Sequence, residues 1–302
     1  MNIGIVGAGN MGSMHARILN ALPDCALIGI TAHTAKRSAQ IAKDLTIRRF
    51  ESLRELIDDP SIDVVDICSP TRFHAENAIE CMKGGKHVII EYPICRTKKE
   101  LNQLRKVSKK TGKICAVAYY SRYQSQYKVF FELAKTDAIG DITTLHISRR
   151  SPKVFSSDDI INNLMAQDID CMVSLLGKPK SFTVANNGKD SCAILFTYDS
   201  CTVTIEGLTN MHDKYPFTTN HFVSGTRGSL ELDWSFIDAP KSQMKHSNER
   251  GITILENADY DPYQYELEYI INRIGNNDGK GIDIESVYDA TLLSFRCRDT
   301  LR

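Results

Sequence analysis

Residues Met1–Gly12, which read MNIGIVGAGNMG, give the clearest indication of the fold of the first part of the chain. Ile3, Ile5 and Val6 form a short, uncharged run of branched aliphatic side chains. Such a run is typical of a strand that is buried on both faces of a parallel sheet. We therefore expect the chain to open with a buried strand.

Three glycines with GxGxxG spacing follow this strand, and they are Gly7, Gly9 and Gly12. Apolar residues then recur at helical intervals. In a dinucleotide-binding unit, the first glycine allows the tight turn, the second lets the backbone approach the pyrophosphate, and the third lets the helix pack on the strand. N–H groups at the start of the helix would bind the pyrophosphate. The stretch predicts a dinucleotide-binding fingerprint, and the alternative is a glycine-rich structural turn.

Length and composition limit the class of protein. A chain of 302 residues suits two domains. The 37 Lys and Arg residues balance 37 Asp and Glu residues, which argues against nucleic acid or an anionic membrane as a partner. The nine cysteines show no CxxC pattern, and neither a signal peptide nor a membrane-spanning run is evident. We expect a cytoplasmic protein that binds no metal, since no His, Cys and Asp spacing resembles a metal site.

The second strand is predicted over Ala26–Ile30. The residues that follow it bear on the choice of nicotinamide cofactor. NAD-type sites place an Asp or Glu about twenty residues past the glycines, where it binds the ribose 2′-hydroxyl. This chain carries no acid there, and the candidate contacts are His33, Thr34, Lys36 and Arg37. Because a basic cluster can pair with a 2′-phosphate, NADP(H) is favoured over NAD(H). The alternative is that Lys36 and Arg37 form the solvated face of a helix over Ala35–Leu45.

Strand and helix patterns alternate over about the first 118 residues. The further predicted strands are Asp63–Cys68, His87–Ile90 and Ile114–Ala118, and the predicted helices are Ser52–Ile57, Phe73–Met82 and Lys98–Lys110. Thr71 is expected to cap the second of these helices. The alternation predicts an α/β domain over residues 1–119, with a right-handed, doubly wound parallel sheet.

The pattern changes beyond residue 119. We predict helices over Gln126–Lys135 and Ile160–Leu176, with a strand over Ile142–Arg150 between them. Further strands are predicted over Ser181–Ala185, Ala193–Tyr198, Thr202–Gly207, His221–Ser224 and Ser229–Leu232. Helices over Tyr263–Ile274 and Ile284–Thr300 close the chain. These elements favour an α+β domain over 120–302 with an open, mainly antiparallel sheet, and packing of the last helix on the first domain is left open.

Segments along nearly the whole chain read GIVGAGNMG, SPTRFHAENAIECMKGGKHVIIEYP, AYYSRY, QDIDCMVSLLGKP and VSGTRGSLEL. They resemble the Gfo/Idh/MocA family of NAD(P)-dependent oxidoreductases. The second segment is the most specific, because family members typically show a Pro-Thr-x-x-His helix start, then Gly-Lys-His-Val and Glu-Lys-Pro. The resemblance implies a Rossmann domain, a second domain that binds a small-molecule substrate, and a homodimer or homotetramer formed through the C-terminal sheet.

The resemblance also implies positions for the cofactor. The pyrophosphate would be lined by Gly7, Gly9, Asn10 and Met11. The adenosine and ribose side would be flanked by Ser69, Pro70, Thr71 and His74. Glu91 and Pro93 would shape the nicotinamide pocket, and Arg122 matches the arginine of an Asn-x-Arg-Phe-like family segment.

Three departures from the family pattern concern the chemistry. Members that oxidise sugar or cyclitol hydroxyls use the lysine of Glu-Lys-Pro and an Asp-x-x-x-His pair on one helical face. The equivalent positions here are Tyr92, Asn163 and Gln167. Removal of a hydroxyl proton needs a base with a pKa near the working pH, whereas a phenol has a pKa of about 10 and amides do not titrate. The site therefore favours reduction of a C=O or C=N group, with Tyr92 as proton donor.

Other interpretations of the same residues stay open. Asn163 and Gln167 either bind a substrate oxygen or satisfy each other and the backbone, and Tyr92 is otherwise a packing or stacking ring. Candidate substrate contacts after the sixth strand are Tyr119, Tyr120 and Tyr123.

Glu-Tyr-Pro also looks like the tripeptide of biliverdin reductases, so a tetrapyrrole reductase is one alternative function. A nucleotide-binding sensor without turnover is another. We expect Asp170 to brace its helix, and His146, His212 and His221 are weaker site candidates.

Overall fold

The structure is a computed structural model that describes residues 1–153, 159–236, 240–255 and 261–301. Within it the chain divides into two compact units. The first unit contains Met1–Tyr120 and Asp261–Tyr288, and the second contains Ser121–Tyr260 and Asp289–Arg302.

The first unit is built on a parallel sheet. Its described strands are β1 (Asn2–Val6), β2 (Ala26–Thr31), β3 (Arg48–Arg49), β4 (Val64–Ile67), β5 (His87–Glu91) and β6 (Cys115–Ala118). They lie in the order β3-β2-β1-β4-β5-β6, and every described pair is parallel. All four residues of β4 are buried, as expected for a mainly aliphatic strand covered on both faces. The predicted doubly wound sheet is confirmed.

The helices that precede β6 are α1 (Asn10–Ala21), α2 (Ala35–Leu45), α3 (Leu53–Asp58), α4 (His74–Lys83) and α5 (Lys98–Thr111). A capping box starts α5, in which Thr97 accepts from the N–H of Glu100 and the Glu100 carboxylate accepts from the N–H of Thr97. The predicted cap by Thr71 is wrong. A 3₁₀ turn over Thr71–Phe73 precedes α4, so the N-cap residue is Phe73 and Thr71 lies two residues ahead of it.

The second unit is built on a mainly antiparallel sheet, as predicted. Its described strands are β7 (Ile142–Pro152), β8 (Ser181–Asn186), β9 (Ser191–Thr197), β10 (Thr202–Met211), β11 (Phe217–Gly225), β12 (Gly228–Phe236), β13 (Pro240–Asn248) and β14 (Gly251–Leu255). The order is β14-β13-β12-β11-β7-β10-β9-β8, and among these strands β7 and β10 form the parallel pair. Sequence analysis did not predict β13 and β14.

Two further helices belong to the second unit, α6 (Ser125–Ala134) and α7 (Ala166–Leu176). A π-helical turn over Ile161–Met165 precedes α7, within the helix predicted from residue 160. The core of this unit joins apolar residues of α6 and α7 to one face of the sheet, for example Phe130, Ile169 and Val223.

The chain ends in α8 (Pro262–Gly275) and α9 (Ile284–Asp299). Helix α8 belongs to the first unit, where it contacts α1 and buries four apolar residues. They are Leu267, Ile270, Ile271 and Ile274. This differs from the expected boundary, which placed every residue from 120 onward in one domain. Within the described ranges, no helix has both the length and the apolar character that crossing a bilayer requires.

Candidate functional site

The turn between β1 and α1 has the backbone geometry that its glycines predict. Gly7 has a φ of +121°, and a Cβ on it would lie 2.4 Å from the carbonyl oxygen of Cys68. A Cβ on Gly12 would lie 2.2 Å from the carbonyl oxygen of Gly7. These two positions therefore exclude any larger side chain, one because the turn is tight and the other because α1 packs directly on it.

Gly9 differs from the two other glycines. A Cβ on Gly9 would meet no described atom within 4 Å, so the glycine is not required by packing within the described chain. Gly9 is also the N-cap of α1, and among the described contacts no side chain caps this helix end. The first N–H groups of a helix lack acceptors within the helix and lie at the positive end of its dipole. Together with exposed Asn10 and half-buried Met11, this turn fits a dinucleotide pyrophosphate.

The residues after β2 also fit an anionic group. All four side chains that the sequence predicts there are exposed, and they are His33, Thr34, Lys36 and Arg37. Thr34 is the N-cap of α2, and within the described residues its side chain makes no capping hydrogen bond. The arrangement is compatible with a 2′-phosphate contact and equally with a solvated helix face.

His74 joins two turns at the carboxyl edge of the first sheet. Its Nε2 lies 2.5 Å from the carbonyl oxygen of Ser69, and its Nδ1 lies 2.8 Å from that of Pro93. The ring is buried, whereas Pro70 is exposed and Thr71 is half-buried. Both His74 nitrogens contact main-chain oxygens, so this histidine holds the turn after β4 to the turn after β5.

The Glu91-Tyr92-Pro93 turn is fixed through its first residue. The Glu91 carboxylate accepts a hydrogen bond of 2.8 Å from the backbone N–H of Tyr92. The ring of Tyr92 is half-buried and packs edge-to-face on buried Tyr119, with 5.3 Å between ring centroids. The Tyr92–Pro93 peptide bond is cis.

The other predicted tyrosines differ in how much of their surface is exposed. Tyr120 packs on Tyr263 of α8 with ring centroids 4.2 Å apart. Tyr123, in the second unit, is 5% exposed. Tyr119 is 2% exposed, so Tyr120 offers more surface than Tyr119 or Tyr123.

A buried polar cluster lies behind the Glu91 turn, and sequence analysis did not predict it. His15 Nδ1 lies 2.8 Å from Asp66 Oδ2, and His15 Nε2 lies 3.2 Å from Glu91 Oε1. Cys68 Sγ lies 3.4 Å from His15 Nδ1. Glu266 of α8 is fully buried, and neither of its carboxylate oxygens has a hydrogen-bond partner in the described parts of the chain.

Burial and neighbouring charges set the protonation of this cluster. Burial lowers the pKa of His15, but Cys68 and Asp66 outweigh it and hold that pKa well above its ordinary value. Burial raises the pKa of the Cys68 thiol, so this thiol stays protonated and uncharged near neutral pH. Asp66 is therefore the neighbour whose charge balances a charged imidazole. Burial and the nearby charge of Glu91 raise the pKa of Glu266 well above its ordinary value. Asp66, an acid inside the apolar run VVDIC, is the sequence signal from which this cluster could have been suspected.

In the second unit, Arg122 and Arg149 form paired ion contacts with acids of α7. Arg122 binds both carboxylate oxygens of Asp170 at 2.6 and 2.7 Å. Arg149 binds both oxygens of Asp168 at 2.8 and 2.6 Å. Asp170 thus braces its helix, as expected, and the Arg122 guanidinium is engaged in that contact.

Asn163 and Gln167, the two amides predicted to stand at the positions of a family Asp and His, are both hydrogen-bonded. Gln167 Oε1 accepts from the N–H and hydroxyl of Ser121, at 3.0 and 2.7 Å. Asn163 is exposed, and its Nδ2 donates to the carbonyl oxygen of Asp159 at 2.9 Å. These contacts agree with the structural interpretation of both residues, and a role in substrate binding stays a prediction.

The three weaker histidine candidates fall into two environments. His146 and His212 are exposed. His221 is fully buried, and its neighbours include Tyr127 and Phe130, whose ring centroids lie 4.6 and 5.7 Å from its own. Burial lowers the pKa of His221 to about 4. His221 is therefore neutral near pH 7, and it packs as part of the core.

Comparison with known proteins supports the dinucleotide interpretation. The first unit, with its β1–α1 turn, has the features of an NAD(P)-binding Rossmann domain. Residues 1–119 match the model of GFO_IDH_MocA, the oxidoreductase family with an NAD-binding Rossmann fold. The resemblance recognised from the sequence is thereby confirmed over residues 1–119, the part of the chain that matches this family model.

Two curated relatives differ in how much of the chain they match. Myo-inositol 2-dehydrogenase of Thermotoga maritima is 30% identical over 153 residues, which are 50% of this chain and 46% of that enzyme. The chain thus matches about half the length of that relative. The uncharacterized oxidoreductase YrbE of Bacillus subtilis is 25% identical over 295 residues, or 91% of this chain and 86% of that protein.

A solved structure shows the same fold across both units. UDP-N-acetylglucosamine 3-dehydrogenase GnnA of Acidithiobacillus ferrooxidans superposes with a TM-score of 0.86 at 20% sequence identity. The match covers 99% of this chain and 97% of that one. The predicted architecture, a Rossmann domain followed by a mainly antiparallel α+β domain, is confirmed.

Proposed function

We propose that this protein is an NADPH-dependent reductase of a C=O or C=N group on a small, polyhydroxylated substrate. The observation that carries the proposal is Tyr92, a phenol where sugar-oxidising family members place a lysine. Its backbone is fixed by the Glu91 carboxylate at the end of β5. Ligands bind at this edge of doubly wound sheets, outside the carboxyl ends of the strands.

The division of chemistry follows from what the chain contains. A bound NADPH supplies hydride to the electrophilic carbon of the substrate. The chain supplies the proton, and Tyr92 Oη holds it, since a phenol with an ordinary pKa of about 10 stays protonated near pH 7. A positioned acid of this kind contributes roughly 100- to 10,000-fold in rate.

The names of the relatives indicate the substrate class. One is a dehydrogenase of myo-inositol and another of UDP-N-acetylglucosamine, and both names denote ring compounds that carry several hydroxyls. We infer a keto-sugar, keto-cyclitol or cyclic imine as the acceptor. Asn163 and Gln167 stay candidate substrate ligands, with the amide nitrogen of Gln167 as donor because its oxygen binds Ser121.

Tyr92→Phe tests the donor role on the acceptor that turns over in a panel of keto-sugars, keto-inositols, cyclic imines and biliverdin. We expect kcat to fall roughly 100-fold or more, because the proton source is removed. Tyr288→Phe is the matched control, since the Tyr288 hydroxyl bonds Asn102 on an exposed surface. Full turnover by Tyr92→Phe would refute the donor role. If biliverdin is the one acceptor that turns over, the substrate is a tetrapyrrole and not a sugar-like compound or imine. If NADPH binds and no acceptor turns over, the protein is a nucleotide-binding sensor.

The preference for NADPH depends on the basic residues after β2. We expect calorimetric titration to show NADPH binding at least about tenfold tighter than NADH, because charge-assisted hydrogen bonds to the 2′-phosphate add affinity. Lys36→Ala with Arg37→Ala should remove most of that difference. Lys43→Ala, an exposed position in the last turn of α2, should preserve it. Tighter binding of NADH to the unmodified protein would refute this preference.

We also infer a homodimer or homotetramer formed through the sheet of the second unit. One row of residues pairs in register across seven of its described strands, and its members are Leu195, Thr204, His146, Phe222, Glu231, Lys245 and Ile254. Residues in register lie on one face of a sheet. Leu195, Phe222 and Ile254 are 46%, 40% and 55% exposed, and exposed apolar residues on one face support a contact between subunits.

A further inference from the structure

The histidine of the buried cluster contacts groups from several elements of the first unit. His15 lies on α1, on the buried face that also contains Gly12 and Leu19. Asp66 of β4 and Glu91 of β5 approach opposite nitrogens of its ring, at 2.8 and 3.2 Å. Cys68 follows β4, and Tyr263 and Glu266 come from α8. These are the titratable groups that surround the imidazole.

The contacts of His15 favour its charged form. A charged imidazole has a proton on each nitrogen, so Nδ1 donates to Asp66 and Nε2 directs positive charge at Glu91. The Nε2 contact is a charge interaction, because within the described chain that nitrogen makes no aligned hydrogen bond. A charge pair that is removed from water interacts far more strongly than one at the surface. This geometry holds the Glu91 carboxylate in place.

The Glu91 carboxylate then acts on the next residue. Its Oε2 accepts from the Tyr92 N–H at 2.8 Å, while its Oε1 is the atom that approaches His15. A chain of contacts therefore runs from Asp66 through His15 and Glu91 to the backbone of Tyr92.

We propose that His15 is a positioning residue. Asp66 holds its ring, and the ring anchors the Glu91 carboxylate, which fixes the turn that carries Tyr92. The effect on catalysis rests on the proposed function of Tyr92, whereas the effect on the backbone does not. His15 acts only through Glu91 and touches no reacting group.

Amide hydrogen exchange of Tyr92 tests the anchoring without any substrate. His15→Gln removes the charge, and Asp66→Asn removes its partner with little change in shape. We expect either variant to speed exchange of the Tyr92 amide at least about tenfold, because an unanchored carboxylate no longer protects that N–H. His87→Gln is the matched control: His87 lies at the other end of β5 and accepts from the N–H of Ile114 at 3.1 Å. Unchanged Tyr92 exchange in both folded variants would overturn the proposal.

Kinetics provide the second measurement. We expect His15→Gln to lower kcat about tenfold or more with little change in the Kd of NADPH, because the binding turn at Gly9 is intact. In a Tyr92→Phe background the same substitution should cause no further loss, since both act through one side chain. Equal losses in the two backgrounds would overturn the proposal. If Tyr92→Phe is fully active, the proposed donor role of Tyr92 fails, and the exchange measurement still decides on the anchoring.

Metal binding is the competing explanation of the cluster. One ligand atom from each of His15, Asp66 and Cys68 lies within 4.8 Å of the others. The hydrogen-bonded His15–Asp66 distance and the protonated Cys68 thiol favour the charge network instead. Zn²⁺ should therefore leave the melting temperature of the full chain unchanged. Stabilisation by Zn²⁺ that Cys68→Ser abolishes would assign a metal site and overturn the proposal.

Discussion

Glu266 is buried in α8, near the charges of Glu91, His15 and Asp66. Transfer of an ionised carboxylate from water to such an environment is costly unless it is paired, so the group keeps its proton in the folded state. The direction of its pKa shift agrees with this. Glu266 therefore adds no negative charge to the cluster near neutral pH, which leaves Asp66 and Glu91 as the carboxylates that face His15.

Glu266→Gln should change how stability depends on pH. Because folding raises the pKa of Glu266, the folded state binds more protons than the unfolded state above the ordinary carboxyl pKa of about 4.3. The wild-type protein should thus lose stability as pH rises, by up to about 1.4 kcal/mol per pH unit relative to Glu266→Gln. Urea unfolding at a series of pH values measures this difference.

Glu268→Gln, in the same helix but partly exposed, is the control and should track the wild-type protein. If the wild-type and Glu266→Gln curves stay parallel across neutral pH, Glu266 is ionised in the folded state. The cluster would then contain a third negative charge, from Glu266, beside those of Asp66 and Glu91.

Among the elements, the unit formed by β1, its glycine turn and α1 contains glycines with two different roles. We expect Gly12 to serve packing and Gly9 to serve ligand binding. Gly12→Ala should destabilise the fold by about 1–3 kcal/mol or more, because its Cβ would lie 2.2 Å from the Gly7 carbonyl oxygen. Gly9→Ala should change stability by less than about 1 kcal/mol, because its Cβ meets open space among the described atoms. Denaturant unfolding of the two variants compares them directly. Equal destabilisation would show that both glycines serve packing alone.

The elements that could be predicted are those with a local pattern. Aliphatic runs identify β1 and β4, and the glycine spacing identifies the turn that follows β1. The sequence of β13, PKSQMKHSN, has little apolar character, and its pairing with β12 depends on backbone hydrogen bonds that leave no such pattern. Thr71 was misassigned because a 3₁₀ turn extends the entry to α4.

The candidate site was predictable in part for the same reason. The glycines and the Glu91 turn follow strands directly, so their position comes from local sequence. His15 and Asp66 are 51 residues apart, and they meet only because β1 and β4 are neighbours in the sheet and α1 packs against that sheet. The placement of Glu266 depends on a helix that returns to the first unit late in the chain. Single-sequence patterns do not encode such pairings.

At the scale of the whole molecule, subunit assembly depends on one face of the second sheet. Phe222→Asp should shift the protein toward monomer, because it places a charge in the apolar row at a strand near the middle of the sheet. Light scattering coupled to size-exclusion chromatography measures the mass. Asp199→Asn, at an exposed site next to β9, is the control and should leave the mass unchanged. A wild-type monomer, or an oligomer that Phe222→Asp leaves intact, would contradict assembly through this face.

The assignment of a cofactor depends on the β1–α1 turn, which we propose binds the pyrophosphate of a nicotinamide dinucleotide. Calorimetric titration of NADPH into the wild-type protein and into Gly9→Ala measures this interaction. We predict one saturable site per chain in the wild-type protein and at least about tenfold weaker binding in Gly9→Ala, since the new methyl group occupies the space of the phosphates. No binding to the wild-type protein, or equal affinity in both, would contradict the claim.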